Sequence, residues 1–251
     1  MTLFDELRRV VESGGRAVVF TVLDGPDAGA KLLVHEDGST AGDAAELAAL
    51  APDALRQGRS HVVEHDGRRV FADVYTPPAR LFVYGAVDTA EALCAQARLL
   101  GWHTIVADAR ARFATRERVP SAHELLVEWP EEALAHVQPD LGTAIVVLTH
   151  DDKFDVPLLK AAVRTDAFYI GALGSRRNQA RRRAVLVEEG LAEEELARIH
   201  GPAGLDIGAE TPAETALSML AEALAVRVGR PGGSLRDAAT RIHAERLVGK
   251  K

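Results

Sequence analysis

Residues 80–108 restrict the fold of this chain more than any other stretch. An apolar run, 80–84, enters Gly85-Ala86-Val87-Asp88-Thr89-Ala90; an amphipathic segment follows to Leu100 and Gly101, and a second apolar run, 104–107, ends at Asp108. Short runs of Leu, Phe, Val and Ile suit strands buried on both faces, and a glycine at a strand end permits a tight turn into a helix. Parallel strands need such a crossover. Further apolar runs follow at 124–129, 144–149 and 167–170, with helical segments between most of them. This alternation predicts an α/β fold, a Rossmann-like doubly wound parallel sheet, over residues 80–229.

The first part of the chain has another rhythm. Strand-like runs at 17–23, 31–35, 61–64 and 70–75 are interrupted by Asp37-Gly38 and Asp66-Gly67, which is hairpin-turn chemistry. An opening helix over 3–13 and an Ala- and Leu-rich helix over 43–56, N-capped by Asp43, complete a small α+β domain expected at 1–76. Pro77-Pro78 reads as a linker, 77–79. Residues 230–251, which begin Arg-Pro-Gly-Gly and end Gly-Lys-Lys, form an expected peripheral, partly mobile tail.

Composition excludes several classes. A net charge of −7 provides no basic field, which argues against a general nucleic-acid binder. The single cysteine, Cys94, allows no internal disulfide and no cysteine-rich zinc site, so no metal ligands are assigned. No apolar run approaches the ~20 residues of a membrane span, and the first residues lack a signal-peptide layout. A cytoplasmic protein without membrane contact is the expectation.

Gly85 and Ala86 occupy the position of a phosphate-binding turn, and Asp108 the position of an acid that takes a ribose hydroxyl about 20 residues on. Arg110 and Arg112 stand where they can counter a phosphate, including the 2′-phosphate of NADP, or be solvated loop residues. Val87 and Asp88 disfavour NAD(P): a β-branched side chain crowds the approach of a pyrophosphate, and a carboxylate repels it. A Rossmann turn that no longer binds dinucleotide is an equal reading.

Two later strand ends carry polar clusters. His150 and Asp151 follow the run 144–149, where ligands gather in open α/β sheets; the pair fits proton relay, metal binding or structural hydrogen bonding. Asp155 reads as the N-cap of a helix over 156–164. The second cluster is Gly171-Ala172-Leu173-Gly174-Ser175-Arg176-Arg177. Ser175 suits an N-cap, but Arg176 and Arg177 in a first turn oppose the helix dipole by about 0.3–1 kcal/mol each. An anion at the helix end, reached past Gly171 and Gly174, gives that placement a purpose. The competing reading is a surface helix whose arginines pair with Glu188 and Glu189. A glycine-rich loop over 200–209 then leads to Thr211-Pro212-Ala213-Glu214, a capping box.

The runs Leu148-Thr149-His150-Asp151, Tyr169-Ile170-Gly171-Ala172-Leu173-Gly174-Ser175-Arg176-Arg177 and Gly204-Leu205-Asp206-Ile207-Gly208-Ala209-Glu210-Thr211-Pro212 resemble the XdhC/CoxI family over residues 80–229, and Gly29-Ala30-Lys31-Leu32-Leu33-Val34 resembles its first domain. The resemblance implies a maturation factor for a molybdenum hydroxylase of the xanthine dehydrogenase or CO dehydrogenase type. Such a factor binds molybdenum cofactor, assists its sulfuration or insertion, and acts as a chaperone more than as a catalyst. Its implied partners are the hydroxylase apoenzyme and a cysteine desulfurase, and homodimer formation stays open. The cofactor bears a phosphate, which suits the anion site. Two departures stand out: Ala41-Gly42-Asp43-Ala44-Ala45 replaces the family's Ser-Gly-Gly-Cys, and Val87-Asp88 replaces Gly-His in its Rossmann turn. Competing readings are an NAD(P)-dependent oxidoreductase using Tyr169 or His150 as donor, and a non-catalytic Rossmann interaction module.

Overall fold

A computed structural model describes residues 2–238 and divides the chain into two compact units. Among the described residues, unit 1 comprises 2–77 together with 233–238, and unit 2 runs Pro78–Gly232.

Unit 1 is an antiparallel sheet of β1 (Ala17–Val22), β2 (Lys31–His35), β3 (Thr40–Gly42), β4 (His61–His65) and β5 (Arg68–Tyr75), in the order β3-β2-β1-β5-β4. Asp66 and Gly67 both take positive φ, 49° and 73°, the type I′ geometry that joins β4 to β5 without splaying them. Helix α1 (Leu3–Glu12), closed by a Thr2–Asp5 capping box, brings Leu3, Leu7 and Val10 against Val19 and Leu33. The helix expected over 43–56 is two pieces, a 3-10 segment Ala45–Leu50 and α2 (Ala51–Gln57). Pro52 explains the break. Without an N–H it is tolerated only in a helix's first turn, so a new helix begins at Ala51, and Asp43 caps neither piece. Strand β3 was not anticipated, since three residues ending in glycine carry little periodic signal.

Unit 2 is built on a parallel sheet of β6 (Arg80–Tyr84), β7 (His103–Ala107), β8 (Glu124–Leu126), β9 (Thr143–Val147), β10 (Tyr169–Ala172) and β11 (Ile199–His200). Their order, β11-β10-β9-β6-β7-β8, is the doubly wound Rossmann arrangement, and its direction reverses between β6 and β9. Helices α3 (Asp88–Leu99) and α8 (Pro212–Arg227) cover one face, over Leu81, Val83, Val146 and Tyr169. On the other face lie α4 (Pro130–Val137), α5 (Asp152–Ala162), α6 (Arg176–Glu188) and α7 (Glu193–Leu196), over Phe82, Tyr84, Ile145 and Ile170. Alternate residues of each strand feed opposite cores, which is why the runs are apolar throughout. Cys94 is buried in the first core, and burial pushes its thiol up to about 12.

Two element readings change. The expected strand 124–129 stops at Leu126, because Trp129 and Pro130 begin α4. Helix α5 starts at Asp152, a turn earlier than expected, capped by Asp151 rather than Asp155. The tail folds into a short 3-10 turn, Leu235–Asp237; the part of the expected tail from 239 onward lies outside the described residues.

Candidate functional site

The reversal between β6 and β9 places the carboxyl ends of two strands side by side and opens a crevice there. Gly85 ends β6 with φ +109°, and a Cβ on it would lie 3.0 Å from Thr149 Cγ2. Three of the turn's backbone donors are already engaged. Gly85 N–H donates to the Ala107 carbonyl at 2.8 Å, Ala86 N–H to Asp108 Oδ2 at 3.0 Å, and Val87 N–H to the Gly85 carbonyl at 3.0 Å. Val87 packs against the core cluster under α3 and α8 instead of standing over the turn. Asp88 opens α3 with its side chain 86% exposed, 3.6 Å from Arg118.

Asp108 is only 1% exposed. Besides Ala86 it accepts from the Arg110 backbone N–H and Nε, both at 2.9 Å, and from Arg110 Nη2 at 2.8 Å. Burial works against its charge, yet the Arg110 and Ala86 hydrogen bonds hold its carboxyl below the ordinary value. The residue expected to meet a ribose is therefore turned inward and pins the turn to the next loop. Arg110, clamped on Asp108, also lies 4.2 Å from the Phe113 ring.

A pH dependence follows. A depressed carboxyl contributes stability that is fully present above its unfolded value, about 4, and is lost as pH falls through the folded value. Asp108→Asn should therefore be less stable than the parent chain at pH 7, with the gap narrowing in acid below that value. Urea unfolding at several pH values measures this, and a gap that does not change with pH refutes it.

His150 and Asp151 are exposed at the end of β9. Asp151 accepts the Lys153 N–H at 3.2 Å and lies 3.3 Å from Lys153 Nζ, so its structural duty is capping. Among the described residues no group of His, Cys, Asp and Glu is arranged to hold a metal ion.

Gly171 is buried under the Tyr169 ring, while Gly174 takes φ +142° before Ser175, which accepts the Asn178 N–H at 3.2 Å. Arg176 and Arg177 follow, both exposed and without an acidic partner among the described residues. Their backbone amides lie in the first turn, where no intrahelical acceptor exists. Successive helical residues diverge by about 100°, so the two side chains leave α6 in different directions. The acids anticipated as partners do not serve: Arg181 pairs with Asp152, Arg183 with Glu193, and Glu189 with Lys160.

Sequence reasoning missed the network beneath. Thr149 Oγ1 donates to Asp155 Oδ1, and Arg182 Nη2 donates to Asp155 Oδ2 at 2.6 Å; these ionic side chains are 1% and 3% exposed. Burial pushes the Asp155 carboxyl upward against the pull of the Thr149 hydroxyl and Arg182. No local pattern joins residues 27 apart. A second buried cluster was missed as well. Tyr169 Oη donates to Glu222 at 2.6 Å, and Glu222 also accepts the Gly204 N–H at 2.8 Å and lies 3.5 Å from His200. It ties the 201–211 loop to α8, and it withdraws Tyr169 from any surface role.

Comparison with known proteins adds the lineage. The chain is 36% identical over 165 residues to the uncharacterized protein YqeB of Escherichia coli, an alignment covering 65% of this chain and 30% of that protein. It is 32% identical to the molybdenum cofactor insertion chaperone PaoD of the same species, covering 61% of this chain and 42% of PaoD. Identity is also 32% to a probable xanthine dehydrogenase subunit of Bacillus subtilis, covering 63% of this chain and 46% of that protein. The chain thus spans less than half the length of these curated relatives. A crystal structure of a xanthine dehydrogenase from Bacillus halodurans shares the fold with a TM-score of 0.63 at 22% identity, covering 90% of this chain and 67% of that one. Residues 81–223, more than half of the chain, match the XdhC Rossmann domain, and the chain belongs to the XdhC family.

Proposed function

We propose that this protein is an accessory factor that binds molybdenum cofactor as cargo and delivers it to a molybdenum hydroxylase apoenzyme. The observation that carries the reading is the start of α6, where the Gly174–Ser175 turn sets the first-turn amides of Arg176 and Arg177 at a strand's carboxyl end, beside an Arg177 side chain that has no acidic partner among the described residues. A phosphate ester is matched there by helix dipole, amides and guanidinium together. Names among its relatives, an insertion chaperone and a xanthine dehydrogenase subunit, support the same assignment. In this reading Arg177, the amides and His150 hold the cargo, while the Thr149–Asp155–Arg182 network keeps α5 and α6 in register beneath it. Sulfur for the cofactor comes from a partner cysteine desulfurase, because the buried Cys94 thiol cannot relay it. The engaged amides of Ala86 and Val87 support leaving NAD(P) out, and the burial of Tyr169 removes one donor an oxidoreductase would need.

Protein purified from cells that make the cofactor should retain pterin, read as fluorescence after oxidation. Arg177→Glu should lower that retention by at least about tenfold, equivalent to ~1.4 kcal/mol, with an unchanged melting curve. Equal retention by a folded Arg177→Glu variant would overturn the site.

A further inference from the structure

Beside the start of α6, a cavity of about 420 Å³ lies between α6, α7 and the edge strand β11. That volume is typical of small-molecule sites. One wall is polar, formed by Arg176, Gln179 and Arg182, and another is apolar, formed by Leu186, Leu196 and Pro202. Arg177 does not line it.

The polar wall is built in advance. Arg182 is 3% exposed and held on Asp155, on Gln179 Oε1 at 2.8 Å and on the Leu173 carbonyl. Its Nε, also buried, has no acceptor among the described residues. Buried guanidinium donors are ordinarily satisfied, and this unmet one leaves positive potential behind the polar wall. Charge points the same way. Asp155 neutralises Arg182 and Glu193 neutralises Arg183, whereas Arg176, at the mouth, has no acidic partner among the described residues.

We infer that this cavity binds a small organic oxyanion, a carboxylate or phosphate monoester on a flat apolar body. The oxyanion pairs with Arg176, in front of the wall that Arg182 and Gln179 form, and the body lies on Leu186, Leu196 and Pro202. Because Asp155 and Gln179 already fix Arg182, little side-chain freedom is lost on binding. The site adjoins the α6 start given to the cofactor but uses different side chains, and it stands without that reading.

Calorimetric titration of the full chain with phenyl phosphate, benzoate and inorganic phosphate tests it. At least one aryl anion should bind saturably, and inorganic phosphate about tenfold or more weaker for want of apolar contact. Ala180→Trp, at an exposed position on the wall, should fill the cavity and abolish binding. Arg176→Ala should weaken it about tenfold, and Arg177→Ala should leave it unchanged. Either of two results overturns the inference: no saturable binding of either aryl anion, or binding that survives both Ala180→Trp and Arg176→Ala. Pterin retention measured on the same Ala180→Trp protein separates the two sites, since it should persist when aryl-anion binding is gone.

Discussion

Replacing Arg182 with Met should lower the unfolding free energy of the Rossmann unit by about 3–5 kcal/mol, because it leaves the Asp155 carboxylate buried without its cation. Asp155 and Arg182 are 1% and 3% exposed, so water cannot substitute for either partner. The double variant Asp155→Leu, Arg182→Met should regain most of that loss, since an apolar pair of similar volume removes both desolvation costs. Urea unfolding followed by tryptophan fluorescence isolates the effect: both tryptophans, Trp102 and Trp129, lie in unit 2. A single variant within about 1 kcal/mol of the parent chain, or a double variant no better than the single, would show that the pair is not the anchor of α5 and α6.

The second large effect is expected at Gly171. A Cβ there would sit 2.6 Å from both Cε1 and Oη of Tyr169, deep inside the unit. Gly171→Ala must push that ring aside and stretch its 2.6 Å hydrogen bond to Glu222, which also holds the Gly204 amide. Overpacking and the lost bond together should cost about 2–4 kcal/mol. In a Tyr169→Ala background the same substitution should cost less than about 1 kcal/mol, because the added methyl meets no ring. An undiminished penalty in that background would mean that the glycine answers to the backbone and not to Tyr169.

Much of the fold was legible because its signals are local. Apolar runs such as 144–147 report strands buried on both faces, and Gly85 with φ +109° reports a turn that L side chains avoid. Asp66-Gly67 named its hairpin, while Thr211 and Glu214 named the start of α8. Misreadings arose where local preference met a packing demand. Asp155 is a good cap by type, but α5 begins earlier so that Phe154 is buried and Asp155 meets Arg182. Pro52 divides a helix that composition alone would run through.

The candidate site divides along the same line. Ser175 followed by Arg176 and Arg177 is a sequence statement: a cap residue with cations where the helix dipole disfavours them. Where each arginine goes is not, because helix geometry sends Arg176 to the α6–β11 cavity wall and Arg177 elsewhere. The chain's residue types and periodicity, on their own, determined a parallel doubly wound sheet and a glycine turn at the end of β6. Only the tertiary structure decided that Asp108 turns inward to take the Ala86 amide, that Thr149, Asp155 and Arg182 form one buried network, and that β6 and β9 adjoin at the reversal. The reason is physical: backbone preference acts over a few residues, whereas desolvation forces buried charges and donors to find partners wherever the fold brings them.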